Sequence, residues 1–230
     1  MMQASKKVLV VSVAGLLVLT FCAGQAAATM LTFDITNGVD GTSMETTYVG
    51  YGDYVTSASM PGDVPGTTYN YDVSDGTTGS INLDFNAAGG NIARYDTDAG
   101  NGSPSVLFPG SGQHEIPVWM GLMAGGETCI VRKFDLIGSG QVTVQVIGTD
   151  WSTDTTLYSD TVTLTAGVPL TIYANSSYVR PMTGGAAIRV FLTSAGDLNV
   201  DNFQFIPEPV TASLLVAGVV GLVLRRHRRR

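Results

Sequence analysis

The sequence predicts an all-β fold, an antiparallel β-sandwich. Three observations predict it. Between residues 29 and 206 no stretch sustains a helical period, while many short segments alternate apolar and polar residues with period two. Turn chemistry separates them: Asn37-Gly38, Asp40-Gly41, Asp75-Gly76, Asn101-Gly102, Gly138-Ser139-Gly140 and Gly184-Gly185. The segments recur about every ten residues, the rhythm of a sandwich or barrel. A chain of 230 residues has room for one such domain plus targeting segments.

Taken in order, the chain opens with Lys6 and Lys7, an apolar run from Val8 to Phe21, and the small residues Ala26-Ala27-Ala28. This is the pattern of a secretory signal peptide over residues 1–28, cut after Ala28. A lipoprotein reading at Cys22 is disfavoured by bulky Phe21 beside it. Candidate strands follow at Leu31–Ile35, Ile81–Phe85, Val142–Val146, Thr161–Thr165, Leu170–Ile172 and Ile188–Leu192. Val142, Val144 and Val146 give the clearest alternation. Ile188–Leu192 is apolar on both faces around Arg189, which suits a central strand. In the last strand Leu198 and Val200 share one parity, and Phe203 and Phe205 the other. One inward face can hold all four only if a bulge at Asp201-Asn202 shifts the register.

The exported segment ends at residue 206, and a third region spans residues 207–230. Pro207, Glu208 and Pro209 precede a charge-free run of 15 residues, Val210 to Leu224. Arg225, Arg226, His227, Arg228, Arg229 and Arg230 follow. As a helix the run covers ~22 Å, short of a ~30 Å hydrocarbon core, so it is expected as a short transmembrane helix. Arginines hold to the cytoplasmic side, as do the lysines of the signal, so both ends place residues 29–206 outside. This order of motif, short helix and arginine tail resembles the PEP-CTERM sorting signal of Gram-negative bacteria. The resemblance implies an exosortase-type membrane protease as partner. It also implies transient anchoring in the inner membrane, and delivery to the cell surface or extracellular matrix.

A second resemblance covers most of residues 30–205. The closing phrase Asn199-Val200-Asp201-Asn202-Phe203-Gln204-Phe205, with Tyr51-Gly52-Asp53-Tyr54-Val55 and Val131–Leu136, is similar to jelly-roll domains of this exported group, which look like carbohydrate-binding modules. It implies a jelly-roll-like sandwich and transfers no ligand.

Charge narrows the function. Residues 29–206 hold five of the 12 basic residues and 18 of the 19 acidic ones, a net charge of 5 − 18 = −13. Such a segment repels phosphate backbones, and no nucleic-acid partner is expected. Catalysis is poorly provided for. Of the two histidines only His114 lies in the domain, where it reads as a surface strand residue. His114-Glu115 lacks a second zinc ligand, no Gly-x-Ser-x-Gly occurs, and no spacing selects a carboxylate pair. No catalytic residue is assigned and a non-enzyme is expected. Cys129, in an apolar stretch, reads as an inert core thiol. A structural calcium is a candidate cofactor, with Asp96, Asp98 and Asn101 in a Gly-rich loop and Asp201 near the chain's end as ligands. Against it stands a plain turn with solvated aspartates. For sugar binding, Trp151 at a loop tip, with Tyr51 and Tyr54, offers aromatic faces. Trp119 sits in the apolar run Val118–Leu122 and reads as core. The function expected first is a structural or adhesive matrix protein. The alternative is a carbohydrate-binding module acting on extracellular polysaccharide, and a glycoside hydrolase comes last.

Overall fold

The computed structural model describes residues 29–34, 38–42, 55–59, 68–71, 81–120 and 125–208. Residues 1–28, expected as a signal peptide, and Tyr51, Tyr54, Pro209, the apolar run and the arginine tail lie outside these residues. Among the described residues no helix is long and apolar enough to cross a membrane.

Among the described residues, fourteen strands form two antiparallel sheets. The first sheet contains Thr29–Leu31 (β1), Arg94–Asp96 (β5), Ser105–Phe108 (β6), Thr128–Gly138 (β8), Leu170–Ile172 (β11), Ser176–Val179 (β12) and Leu198–Glu208 (β14). Its order is β11-β8-β14-β6-β5, with β12 also on β8 and β1 also on β14. The second contains Val55–Ser59 (β2), Thr68–Tyr71 (β3), Ile81–Leu83 (β4), Gly112–Trp119 (β7), Gly140–Thr149 (β9), Asp154–Leu164 (β10) and Ala187–Ser194 (β13), in the order β10-β9-β13-β7-β4-β3-β2.

Alternation drives the packing. Val142, Val144 and Val146 of β9, Ile188, Val190 and Leu192 of β13, and Ile116 and Val118 of β7 all face the core. Phe134, Leu136, Val200, Phe203 and Phe205 meet them from the first sheet. Strand β13 is central, pairing with β7 on one edge and with β9 on the other. Cys129 is fully buried in the same core.

The bulge in β14 is present. Its register against β8 shifts between Asp201 and Gln204, and Asn202 takes φ +49°. Leu198, Val200, Phe203 and Phe205 thereby all become fully buried. The strand continues past residue 206, because Pro207 and Glu208 pair with Cys129 and Thr128 of β8.

Two sequence expectations are corrected. His114 is fully buried on the core face of β7, not on the surface. The Ala88 N–H donates to its Nδ1 at 3.0 Å, so the ring proton sits on Nε2, 3.2 Å from Ser194 Oγ. Ser194 in turn donates to the Gly196 carbonyl. The imidazole is satisfied as a neutral group, and burial lowers its pKa. Trp119, expected in the core, is only half-buried on the opposite face of the same strand.

Candidate functional site

The site is built at one end of the second sheet, on the face turned away from the core. Strand β7 closes on Trp119, which pairs with Ala187 at the start of β13; Ala187 pairs in turn with Thr149 at the end of β9. The β9–β10 connection then folds back over this row. Asp150 Oδ1 accepts from the Ser152 amide at 2.9 Å, the Ser152 hydroxyl at 2.7 Å and the Thr153 amide at 2.7 Å. The Ser152 bonds lead in lowering the Asp150 pKa, so the tip stays anionic. Trp151 lies inside this turn with φ +71°, its amide donating to Thr149 Oγ1 at 3.0 Å.

The turn lays the indole of Trp151 against that of Trp119. Their ring centroids are 4.9 Å apart and the planes are inclined by 28°, an offset stack. Trp119 Nε1 donates to Asp84 Oδ2 at 2.9 Å, which fixes the lower ring. The upper ring is 50% exposed. Gly185 makes room for it: a Cβ there would lie 2.7 Å from Trp151 Nε1. Arg180 Nη2 donates to the Gly184 carbonyl at 3.0 Å and holds the loop that carries Gly185.

Further along the same face lies a polar group. Arg189 Nε donates to Glu115 Oε1 at 2.6 Å, and its guanidinium stands 4.6 Å from the Phe191 ring centroid. The Glu115 bond raises the arginine's pKa and keeps it cationic. An exposed aromatic face beside a fixed ion pair can stack a ring and donate or accept hydrogen bonds around its edge. Trp119 lies four residues along β7 from Glu115, ~13 Å away.

The expected ligand residues for calcium are placed differently. Asp98 Oδ1 accepts from the Gly100 amide at 2.9 Å and the Gly102 amide at 2.8 Å. Asp96 accepts from the Asp98 amide and from Asn199 Nδ2. Asn101 accepts from the Ser103 amide. These carboxylates and amides shape a turn. Asp201 is 1% exposed and accepts from Ser103 Oγ at 3.0 Å and the Asn202 amide at 2.7 Å. Among the described residues no three acidic, histidine or cysteine side chains are grouped to hold a metal ion.

Of the sugar-binding candidates, Trp151 occupies the platform, while Tyr51 and Tyr54 lie outside the described residues. Sequence reasoning missed Trp119. Its signal was parity: Glu115, Pro117 and Trp119 alternate with Ile116 and Val118.

No family model matches the chain, and no curated protein matches it. Several solved structures of carbohydrate-binding modules are similar to it in fold. The CBM22-1 xylan-binding domain of Paenibacillus barcinonensis Xyn10C is 13% identical, with a TM-score of 0.42 over 54% of this chain and 86% of that one. A CBM61 module solved with β-1,4-galactotriose is 18% identical, with a TM-score of 0.35 over 55% and 88%. The C-terminal family 22 module of Clostridium thermocellum Xyn10B is 17% identical, with a TM-score of 0.37 over 54% and 86%. Likenesses at this level assign no role to any residue of this chain.

Proposed function

We propose that this chain is an exported, non-catalytic carbohydrate binder whose site is the Trp119–Trp151 platform. One observation carries the reading: a large aromatic ring is half exposed yet held in place by a stack beneath it, a turn behind it and Gly185 beside it. Leaving an indole half in water forgoes part of its burial energy, which a ligand stacked on its free face would recover. The ring is already oriented, so binding orders little. The Arg189–Glu115 pair supplies donors and acceptors at the distance of a second or third sugar. This reading now stands ahead of the purely structural or adhesive one, which needs no exposed platform.

The test is retention of the chain on a panel of immobilised polysaccharides. Trp151→Ala is expected to weaken the retained interaction at least about tenfold, ~1.4 kcal/mol. Its unfolding free energy is expected to fall by about 1–2 kcal/mol, the loss of one half-buried stacked ring, so the chain stays folded. Equal retention of the variant removes the platform from the site, and silence across the panel returns the scaffold reading.

Delivery is part of the same proposal. The Pro207-Glu208-Pro209 motif, the apolar run and the arginine tail support membrane retention followed by cutting by an exosortase-type protease. Replacing Glu208 with Gln is expected to leave the uncut, membrane-bound form in the producing cell. A mature chain of unchanged size and location means the motif is not read.

A further inference from the structure

We propose that the Arg189–Glu115 pair makes the platform selective for neutral polysaccharide: the guanidinium fork takes two adjacent sugar hydroxyls, and the carboxylates around it turn away chains that carry uronic acids. The inference rests on the sugar-binding reading of the platform, and adds the chemical class of the ligand and the residues that choose it.

The strand register puts the pair on the platform's own face. Pro117 pairs with Arg189 and Glu115 with Phe191, so all four share the side of the sheet that carries Trp119. Across the sheet from Trp119 come Ala187 and Thr149, both buried. Along the strands come Arg189 and Glu115, whose side chains are 27% and 20% exposed. Reachable polar groups therefore follow β7 and β13 away from the platform. A sugar chain stacked on Trp151 meets them by running along these strands.

The guanidinium is held from two directions. Nε donates to Glu115 Oε1 at 2.6 Å, and the Phe191 ring lies 4.6 Å from its central carbon. Among the described residues no hydrogen bond uses Nη1 or Nη2. Neither is sealed from water, since Arg180 Nε is the one buried side-chain polar atom without a partner among those residues. The far end of the fork is thus fixed in direction and open to a ligand. Fixing it beforehand removes the ordering that binding would otherwise cost.

Two ligand groups fit such a fork, a carboxylate or a pair of adjacent hydroxyls. The surrounding charge decides between them. Glu115 already matches the charge of Arg189. Asp84, which accepts from Trp119 Nε1, and Asp154, which pairs with Thr149, add two carboxylates to the same face. Among the described strand residues of that face Arg189 is the one cation. Residues 29–206 carry −13 in all. A uronate would arrive as one more anion at a fork whose charge is already matched, and like charges brought together cost affinity and slow encounter. Hydroxyls bring no charge. They accept from Nη1 and Nη2 and donate to Glu115, whose Oε2 has no partner among the described residues.

The test runs the full chain over immobilised galactan, glucan and mannan, each native and after oxidation of its primary alcohols to carboxylates. The backbone and its adjacent ring hydroxyls stay, and only charge is added. The native form of the best-held polysaccharide is expected to retain the chain at least about tenfold more than its oxidised form at low salt, with the gap narrowing at high salt. Glu115→Gln keeps an oxygen for Arg189 Nε and removes one anion, so retention on the oxidised form rises about threefold. Arg189→Lys keeps the charge and loses the planar fork, so retention on the native form falls about tenfold. Near-ultraviolet dichroism of the stacked tryptophans reports that each variant is folded. Equal or stronger retention on the oxidised form, or full retention of Arg189→Lys on the native one, overturns the inference. If Trp151→Ala still abolishes retention in that case, the platform stands without it. Silence of the parent chain on all three polysaccharides overturns the inference together with the platform.

Discussion

Trp151 and Asn202 are both non-glycine residues forced to positive φ, at +71° and +49°, yet they sit in opposite surroundings. Trp151 tips an exposed turn, and its ring meets water on one side. Asn202 sits in the bulge of β14, where Nδ2 donates to Asp135 Oδ2 at 2.8 Å and to Asp201 Oδ2 at 3.2 Å. Asp201 beside it is almost fully buried. One irregularity presents a side chain, and the other repairs a strand register by consuming polar groups inside the fold. Strain of this kind costs about 1–3 kcal/mol per residue and persists only where surrounding contacts overdetermine it. At the bulge those contacts are hydrogen bonds to carboxylates. At the tip they are the Asp150 turn and the indole stack.

The comparison breaks most visibly at the bulge. Asn202→Val puts a β-branched residue at φ +49° and removes the bridge between Asp135 and Asp201. A loss of about 3–5 kcal/mol in urea unfolding is expected. The platform of the surviving folded chain should still bind its polysaccharide, since no platform residue contacts Asn202. A loss under 1 kcal/mol would mean the bulge is not what fixes the register.

Asp201 gives the next effect through pH. Burial raises its pKa to about 6 from 3.8, with Asp135 and Asp34 adding repulsion, while the bonds from Asn202 and Ser103 oppose the shift. The folded form holds this proton more tightly than the unfolded form. The group's contribution therefore improves as pH falls from above 6 towards 3.8, by roughly 3 kcal/mol in all. His114 acts oppositely: its pKa is lowered, so its contribution is lost as pH falls below 6.5. Asp201→Asn isolates the aspartate's contribution. The variant's stability relative to the parent should be higher at pH 7.5 than at pH 4.5 by about 2–3 kcal/mol. A difference that does not change with pH would place the carboxylate in water.

At the tip the effects fall on binding. After Trp151→Ala, the gentlest change is Gly185→Ala. The added methyl displaces the indole without backbone strain, because Gly185 is not among the residues of positive φ. Polysaccharide affinity is expected to fall about threefold, ~0.6 kcal/mol, with a reduced near-ultraviolet circular dichroism signal from the stacked pair. Unaltered dichroism would show that the stack does not depend on this space.

Much of the scaffold was legible as period two. The parity change between Val200 and Phe203 required a bulge, and the apolar run Ile188–Leu192 suited a central strand, which β13 is. Parity was also available on β7, where it puts His114 with Ile116 and Val118 and leaves Trp119 outside. An apolar run of five residues, Val118–Leu122, outweighed it and hid the lower half of the platform. Alternation says which residues share a face. It does not say which residue of a distant turn lies over that face.

By itself the sequence determined the β architecture, the acidic segment between two basic ends and the register change in β14. These depend on local periodicity and charge, which act along the chain. Only the tertiary structure decided that Trp151 rests on Trp119, that His114 is enclosed, and that Arg189 and Glu115 share the platform's face. Those facts depend on strand order and on close approach across loops, at positions far apart in the chain, and no local pattern encodes them.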